Sequence, residues 1–253
     1  MTKMSTKKEW WEPDILAKQE RELRKTLSAD NFDKGGDFGS YKAIKEGIDL
    51  KDSHLVYHNL FQEKRLKQVL FDYVNLLKNE NHKTPKTIAD IGCGAGFTTN
   101  ALKNYYESSL VFGYEISYDA IEYAKNNFPQ CHFVQKKIDP SLDLGDIKFD
   151  LIICQEFYPF TRTKDFDKHF QWLQFIFNNL NKDGKALITV TSSNLESITS
   201  SYETLKNNFP LQRFTLATPR ISSKLPLSLS KLVGKVSLLT WKRLGREIYL
   251  LKN

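Results

Sequence analysis

The sequence has few cysteines, no long apolar segment and almost no acidic residues near its C-terminal end. Its three cysteines, Cys93, Cys131 and Cys154, are odd in number and lack CxxC spacing. This argues against a disulfide framework or a zinc site and predicts buried free thiols. No apolar run is long enough to span a bilayer. The first residues, MTKMSTKKEWWEPD, lack the apolar segment of a secretory signal. These absences together predict a cytoplasmic protein.

Positive charge is concentrated at the C-terminal end. The formal net charge is +7, and residues 211–253 contain nine Lys and Arg against one acidic residue. A basic surface there favours an anionic substrate, nucleic acid or a membrane surface as binding partner. The alternative is a solvent-exposed basic surface that binds no partner. The apolar content of 40% and the length of 253 residues are enough for one large α/β domain.

From residue 87 onward, apolar runs alternate with amphipathic segments. Apolar spacing also predicts a helix from about residue 53 to 77, before the first run. Near-continuous apolar strands joined by crossover helices predict a parallel sheet covered on both faces. The predicted strands cover 87–92, 110–117, 131–138, 149–157 and 185–192, and the predicted helices cover 97–107, 118–128, 163–180 and 194–209.

The two ends of the chain depart from this alternation. Segments 211–218 and 246–253 are predicted as two strands without a clear helix between them, paired antiparallel at the sheet edge. Segment 222–245 is interpreted as a basic, apolar-rich insertion. At the other end, 13–27 is predicted as a helix and the glycine-rich stretch 31–42 as a loop. The predicted organisation is therefore an N-terminal extension, 1–52, followed by one domain, 53–253.

Three glycines lie within five positions directly after the first predicted strand. They are Gly92, Gly94 and Gly96, and a helix is predicted to begin next. A strand, a glycine turn and a helix N-terminus place free backbone N–H groups at the carboxyl edge of a sheet. Asp90 precedes the first glycine by two residues, and Glu115 ends the next strand. An acid at that second position accepts hydrogen bonds from ribose hydroxyls.

These residues resemble the class I S-adenosylmethionine-dependent methyltransferases. "ADIGCGAGF" is similar to the first motif of that family and "GYEIS" to its ribose-binding acid, and the resemblance covers about residues 55 to 220 and the final strand. It implies an α/β fold with a doubly wound, mostly parallel seven-stranded sheet and an antiparallel last strand. It also implies S-adenosylmethionine as cofactor and S-adenosylhomocysteine as product.

The resemblance implies a set of cofactor-binding residues. The three glycines would line the methionine and ribose side, Asp90 would lie near the amino group, and Glu115 would hold the ribose. Relatives often carry an acid after the third strand for adenine, but here Lys137 is near that place and Asp139 is displaced. Backbone near Ile138 is then expected to hold the adenine, with Asp139 as the alternative. The full set is Asp90, Gly92, Cys93, Gly94, Gly96, Glu115, Ile116, Ile138 and Gln155.

The acceptor is expected above the end of the fourth strand, in CQEFYPFTRT (154–163). This segment lacks the [DNS]-P-P-[YF] pattern in which amino-directed nucleic-acid methyltransferases resemble one another. Glu156 is interpreted either as a base or hydroxyl ligand, or as a capping or surface acid. Tyr158 would orient an acceptor and Arg162 would bind an acidic group. Phe157 and Phe160 either pack in the core or stack on substrate.

The histidines give weaker signals. His54 and His58 are four residues apart, but no acidic partner stands at ligand spacing, so no metal site is predicted. His58 or Tyr57 would reach the acceptor if the N-terminal segment covers the cofactor, as it often does in this family. The catalytic candidates are therefore Glu156, Tyr158 and His58. His169 is interpreted as a histidine at the core boundary, and Trp10 and Trp11 as anchors of the extension.

The leading hypothesis is methyl transfer to an oxygen or nitrogen atom of a small polar metabolite, such as a sugar or a nucleotide-linked sugar. The polar residues of 154–163 and the basic C-terminal region favour it, and the acceptor is expected to be anionic. One alternative is an RNA methyltransferase that uses residues 211–253 to contact phosphates. Another is a partner subunit that binds the cofactor without catalysis.

Overall fold

The structure is a computed structural model, and it describes residues 41–42, 45–46, 63–80, 83–141, 144–161, 163–191, 197–217, 225–240 and 245–253. The predicted helix 13–27 and several singled-out residues lie outside these ranges, namely Trp10, Trp11, His54, Tyr57, His58 and Arg162. Within the described ranges, no helix has the length and apolar content that crossing a membrane requires.

Strands and helices alternate along the described chain. The helices are α1 (Glu63–Asn79), α2 (Phe97–Tyr105), α3 (Tyr118–Asn127), α4 (Tyr158–Thr161), α5 (Phe166–Asn179), α6 (Tyr202–Leu205) and α7 (Leu227–Thr240), with a 3-10 turn at Ile198–Ser200 before α6. The strands are β1 (Thr87–Ile91), β2 (Leu110–Glu115), β3 (His132–Gln135), β4 (Phe149–Gln155), β5 (Leu180–Thr191), β6 (Leu211–Ala217) and β7 (Gly245–Lys252).

The strands form one seven-stranded sheet in the order β3-β2-β1-β4-β5-β7-β6. The pairs from β3 to β5 are parallel, and β7 is antiparallel to both β5 and β6. The predicted doubly wound, seven-stranded sheet with an antiparallel last strand is confirmed. The strand order reverses between β1 and β4, and ligands of such sheets bind at the carboxyl edge beside that point.

Both faces of the sheet are buried, which explains why the central strands are nearly all apolar. One face packs against α5 in a core that contains Phe160, Leu173 and Ile188. The opposite face packs against α1 in a second core that contains Tyr73, Ile153 and Leu250. Because both faces are covered, polar residues of the central strands lie mainly toward the strand ends, as Asp150 and Gln155 do in β4.

The C-terminal region differs from prediction in two places. The predicted helix 194–209 is a 3-10 turn followed by the short α6, with residues 192–196 outside the described ranges. The segment 222–245, in which no clear helix was predicted, contains α7. Its leucines and valines lie around most of the helix and Gly234 interrupts it, so the sequence shows no clear helical periodicity. A Cβ on Gly234 would lie 2.5 Å from the backbone carbon of Leu216, so glycine lets α7 pack directly on β6.

Smaller differences concern element ends. Tyr41 and Lys42 are helical, although 31–42 was predicted as a loop. Strand β3 is shorter than the predicted 131–138. β5 begins at Leu180, before the predicted strand 185–192, and its pairing with β4 shifts register there, with Asp183 at a φ of 64°. These ends depend on tertiary hydrogen bonds that periodicity does not report.

Candidate active site

The glycine loop, residues 92–96, connects β1 to α2 in left-handed backbone. The φ angles are 75° at Gly92, 52° at Gly94 and 82° at Gly96, a region that favours glycine. The N–H groups of Gly92 and Cys93 both donate to the carbonyl of Tyr114, at 2.9 and 3.1 Å, which fastens the loop to β2. The loop therefore holds the start of α2 at the carboxyl edge, where a helix N-terminus favours polar or anionic ligand groups.

The three glycines are needed for different contacts. A Cβ on Gly92 would lie 2.8 Å from the ring of Phe157, and one on Gly96 would lie 2.7 Å from the ring of Phe133. A Cβ on Gly94 would lie 2.7 Å from the hydroxyl oxygen of Tyr41. The loop is thus enclosed by β3, by the segment after β4 and by the N-terminal region.

Glu115 links β2 to the glycine loop. One carboxylate oxygen accepts from the Gly94 N–H at 3.0 Å, and the other accepts from the N–H groups of Ile116 and Ser117 at 2.8 and 3.1 Å. Burial raises the pKa of this carboxyl, and the three backbone donors oppose that rise. A carboxylate has about four acceptor positions, so capacity for a hydroxyl donor remains. This donor and acceptor set fits a ribose at the end of β2.

Asp90 is buried beneath the first turn of α2. Its carboxylate accepts from the Thr99 hydroxyl at 2.7 Å, and only 1% of the residue is exposed. Burial raises its pKa to about 7, with a smaller rise from the charge of Glu115, while the bond from Thr99 lowers it. Asp90 therefore fixes α2 on β1 and is half ionised near neutral pH.

Cys93 is a structural member of the loop. Its sulfur lies 2.9 Å from the position that a Cβ on Gly113 would take, and burial raises the pKa of its thiol well above the ordinary value. The thiol therefore stays protonated and unreactive. All three cysteines are free and buried, as predicted.

Beyond β3, the proposed adenine region is less enclosed. Ile138 is half-buried against the main core. Asp139 is exposed, and its carboxylate accepts from the backbone N–H and hydroxyl of Ser141 at 2.8 and 2.7 Å, which lowers its pKa. Its acceptor oxygen is thus engaged within its own turn.

Gln155, the last residue of β4, lies between two helices. Its side-chain oxygen accepts from Thr98 of α2 at 3.2 Å and from Tyr73 of α1 at 3.5 Å. The Tyr73 hydroxyl also bonds the Thr189 hydroxyl at 2.7 Å, and burial raises its pKa, so it stays protonated. This network fixes the ends of β4 and β5 beside the glycine loop.

Glu156 directly follows Gln155, and its backbone conformation is strained. Its φ of 53° is unusual for a residue with a side chain, and its N–H donates to the Thr189 carbonyl at 3.1 Å. The residue is exposed at the carboxyl edge. Its conformation turns the chain sharply out of β4, so α4 begins two residues later.

The aromatic residues after β4 separate into two kinds. Phe160 is fully buried in the main core, so of its two interpretations core packing is the one observed. Tyr158 is also buried, with 4% of its surface exposed. Phe157 is half-buried and makes an edge contact with Trp172 at 4.9 Å between ring centroids. Phe157 is therefore the ring that separates the glycine loop from α5.

His169 is a core residue, so its interpretation as a boundary histidine is wrong. It is fully buried in α5, and its Nδ1 bonds the Ser201 hydroxyl at 2.9 Å. Burial lowers its pKa to about 4, so the ring is neutral near pH 7. The amphipathic pattern could not reveal this, because His169 contacts Ser201 and Phe160, which lie outside α5.

Tyr41 is a site residue that the sequence did not reveal. It is buried against Ala95 of the glycine loop and Ala120 of α3. Nearby, Lys45 lies 2.8 Å from the carboxylates of both Asp119 and Glu122. The only signal for Tyr41 in the sequence was an aromatic residue near the end of the glycine-rich stretch 31–42. Among the described residues, no group of three or more possible metal ligands occurs.

The sheet order, the glycine loop after β1 and the acid ending β2 together define a class I methyltransferase site. A family model described as "Methyltransferase domain" matches residues 82–246 of this chain. The chain therefore belongs to the methyltransferase-domain family, whose class I members use S-adenosylmethionine. The predicted family and cofactor are confirmed.

Individual relatives are more distant. Protein 235L of Invertebrate iridescent virus 6, named as a methyltransferase, is 27% identical over 134 residues, which cover 53% of this chain and 46% of that protein. The chain thus matches about half the length of this relative.

Two solved structures are similar in fold. One is the plantazolicin methyltransferase BpumL in complex with a pentazolic desmethylPZN analog and SAH, with a TM-score of 0.58, 15% identity, and coverage of 93% of this chain and 99% of the other. The other is an S-adenosylmethionine-dependent methyltransferase from Clostridium acetobutylicum, with a TM-score of 0.56, 15% identity, and coverage of 78% and 96%.

Proposed function

We propose that this chain transfers a methyl group from S-adenosylmethionine to an oxygen or nitrogen atom of a small polar molecule at the carboxyl ends of β4 and β5. The observation that carries the proposal is the contact between Gly92 and Phe157. It brings the segment after β4 directly against the glycine loop, so an acceptor beside Glu156 adjoins the cofactor site.

The cofactor supplies a methyl group on a positively charged sulfur, which an acceptor lone pair displaces in line. The protein contributes alignment and exclusion of water. Glu115 binds the ribose hydroxyls, and the glycine loop lines the methionine side. Tyr41 covers Gly94 and limits access of water from the N-terminal side.

Glu156 is proposed as the base. An acceptor hydroxyl must lose its proton as its oxygen bonds to the methyl carbon, whereas a neutral amine need not. The exposed carboxylate of Glu156 takes that proton. The left-handed backbone of Glu156 directs this side chain out of β4 toward the acceptor. Tyr158 and His58 remain candidates for orienting the acceptor.

Sugars and nucleotide-linked sugars are the first acceptors to test, because polar residues surround this position.

The test measures formation of S-adenosylhomocysteine with fractionated metabolites as acceptors. We expect Glu156→Gln to lower kcat by about a hundredfold or more for a hydroxyl acceptor, while S-adenosylhomocysteine affinity changes little. Glu203→Gln, an exposed acid in α6, is the matched control. An unchanged kcat in Glu156→Gln would show that Glu156 is not the base.

Turnover with RNA but not with metabolites would overturn the small-molecule acceptor. Cofactor binding without turnover on any acceptor class would instead favour a partner subunit without catalysis.

A further inference from the structure

The outer side of α7 carries exposed aliphatic side chains. Leu229, Leu232 and Val236 are 42%, 57% and 50% exposed. Their spacing of three and four residues places them on one side of the helix. Ser230 and Gly234 are buried on the other side, which packs against β6. We name the three exposed residues the apolar face of α7.

Basic residues accompany this face. Three basic residues of 211–253 form ion pairs with acids elsewhere, namely Arg213 with Glu247, Arg246 with Asp72 and Lys252 with Glu80. The other six lie between residues 220 and 243, a stretch that contains no Asp or Glu: Arg220, Lys224, Lys231, Lys235, Lys242 and Arg243. These six residues belong to α7 and to the sequence segments beside it. Within α7, Lys235 is exposed, and the Lys231 ammonium lies 4.6 Å from the centroid of the Phe214 ring of β6.

We propose that α7 docks this protein on an anionic lipid bilayer, with its apolar face inserted among the headgroups and its lysines near the lipid phosphates. A helix that combines exposed aliphatic residues with basic neighbours binds the membrane interface in this way. Each basic residue near an anionic surface adds to the attraction. The docking does not depend on which acceptor is methylated.

The chemistry of the face favours lipid over the other anionic or apolar partners. RNA is held by stacking on aromatic rings and by guanidinium groups, and the exposed Leu229, Leu232, Lys235 and Val236 of α7 offer neither. A second copy of the chain would bring two basic surfaces together, which repel each other. Only a bilayer offers both acyl chains for the aliphatic residues and phosphates for the lysines.

The position of α7 connects docking to the site. β6 ends at Ala217 and β7 begins at Gly245, and these two residues pair at the carboxyl edge of the sheet. The segment that contains α7 therefore leaves from and returns to the edge that holds the glycine loop. Docking would hold this edge near the membrane surface.

The test is co-sedimentation of the full chain with vesicles of phosphatidylcholine containing about 30% phosphatidylglycerol, compared with pure phosphatidylcholine. We expect binding to the anionic vesicles that weakens as salt rises. The double variant Leu229→Ser/Leu232→Ser keeps every charge, and its affinity should fall at least about tenfold. Lys235→Gln should weaken binding by about fivefold.

Leu110→Ser is the matched control. Leu110 is 52% exposed at the start of β2, on the opposite edge of the sheet, so its loss should leave vesicle binding unchanged. Thermal melting confirms that each variant is folded. The proposal is overturned by no binding to anionic vesicles, by equal binding of the double variant, or by salt-sensitive binding of single-stranded RNA without vesicle binding.

Discussion

The Glu115 carboxylate holds three backbone N–H groups in place while the residue remains partly exposed. A single residue therefore both shapes the glycine loop and presents acceptor oxygens for a ribose. Its position at the end of β2 follows from the parallel pairing of β1 with β2, which sets Ile91 beside Tyr114.

Replacing Glu115 tests the cofactor site. Glu115→Ala removes the acceptor oxygens, and since hydrogen bonds to a charged group contribute about 1.5–3 kcal/mol, binding of S-adenosylmethionine should weaken about tenfold or more. Calorimetry measures the affinity. Glu107→Ala, an exposed acid near the opposite edge, should bind as the unaltered protein does. A change below twofold in Glu115→Ala would show that ribose binding does not rely on this carboxylate.

Asp90 should make stability fall as pH rises. Its pKa is about 7 in the folded chain against an ordinary 3.8, so the folded state binds its proton more tightly than the unfolded state. The stability it contributes is complete below about pH 4 and is lost as pH rises to about 7. Asp90→Asn should abolish that loss, on the order of 2–4 kcal/mol.

Urea unfolding of both proteins at several pH values between 4 and 8 measures this difference. Asn keeps an oxygen that accepts from Thr99, so the hydrogen bond is retained in the variant. Parallel stability curves for the two proteins would contradict the raised pKa of Asp90.

At the scale of elements, α1 is held on the sheet by a buried ion pair. Arg246 of β7 pairs with Asp72 of α1, and the two residues are 4% and 1% exposed. α1 also supplies Tyr73, whose hydroxyl bonds Thr189 at the end of β5. The position of α1 therefore determines how the ends of β4 and β5 are arranged.

Breaking the pair should destabilise the fold strongly. Asp72→Ala leaves a buried guanidinium without its carboxylate, which costs about 3–5 kcal/mol. Glu203→Ala breaks the exposed pair with Lys206, which should cost less than about 1 kcal/mol. Chemical denaturation measures both. The double variant Asp72→Ala/Arg246→Met should recover part of the loss, and an equal loss in Asp72→Ala and Glu203→Ala would contradict the role of burial.

At the scale of the whole molecule, the sheet was predictable because each central strand is an apolar run bounded by helices. The glycine loop and Glu115 were predictable because their positions relative to β1 and β2 are fixed along the chain. Helix α7 was not predictable, because Gly234 and the evenly spread aliphatic residues of the helix hide its helical periodicity. The burial of His169 was not predictable either, because it involves Ser201, which is distant in sequence.

The sequence by itself determined the parallel architecture, the glycine loop and the acid at the end of β2, because strand order and local spacing encode them. Only the tertiary structure decided that Tyr41 covers Gly94, that Phe157 joins β4 to the loop, and that α7 turns an aliphatic face to solvent. Those features are contacts between segments far apart in the chain, where packing rather than local pattern selects the neighbours.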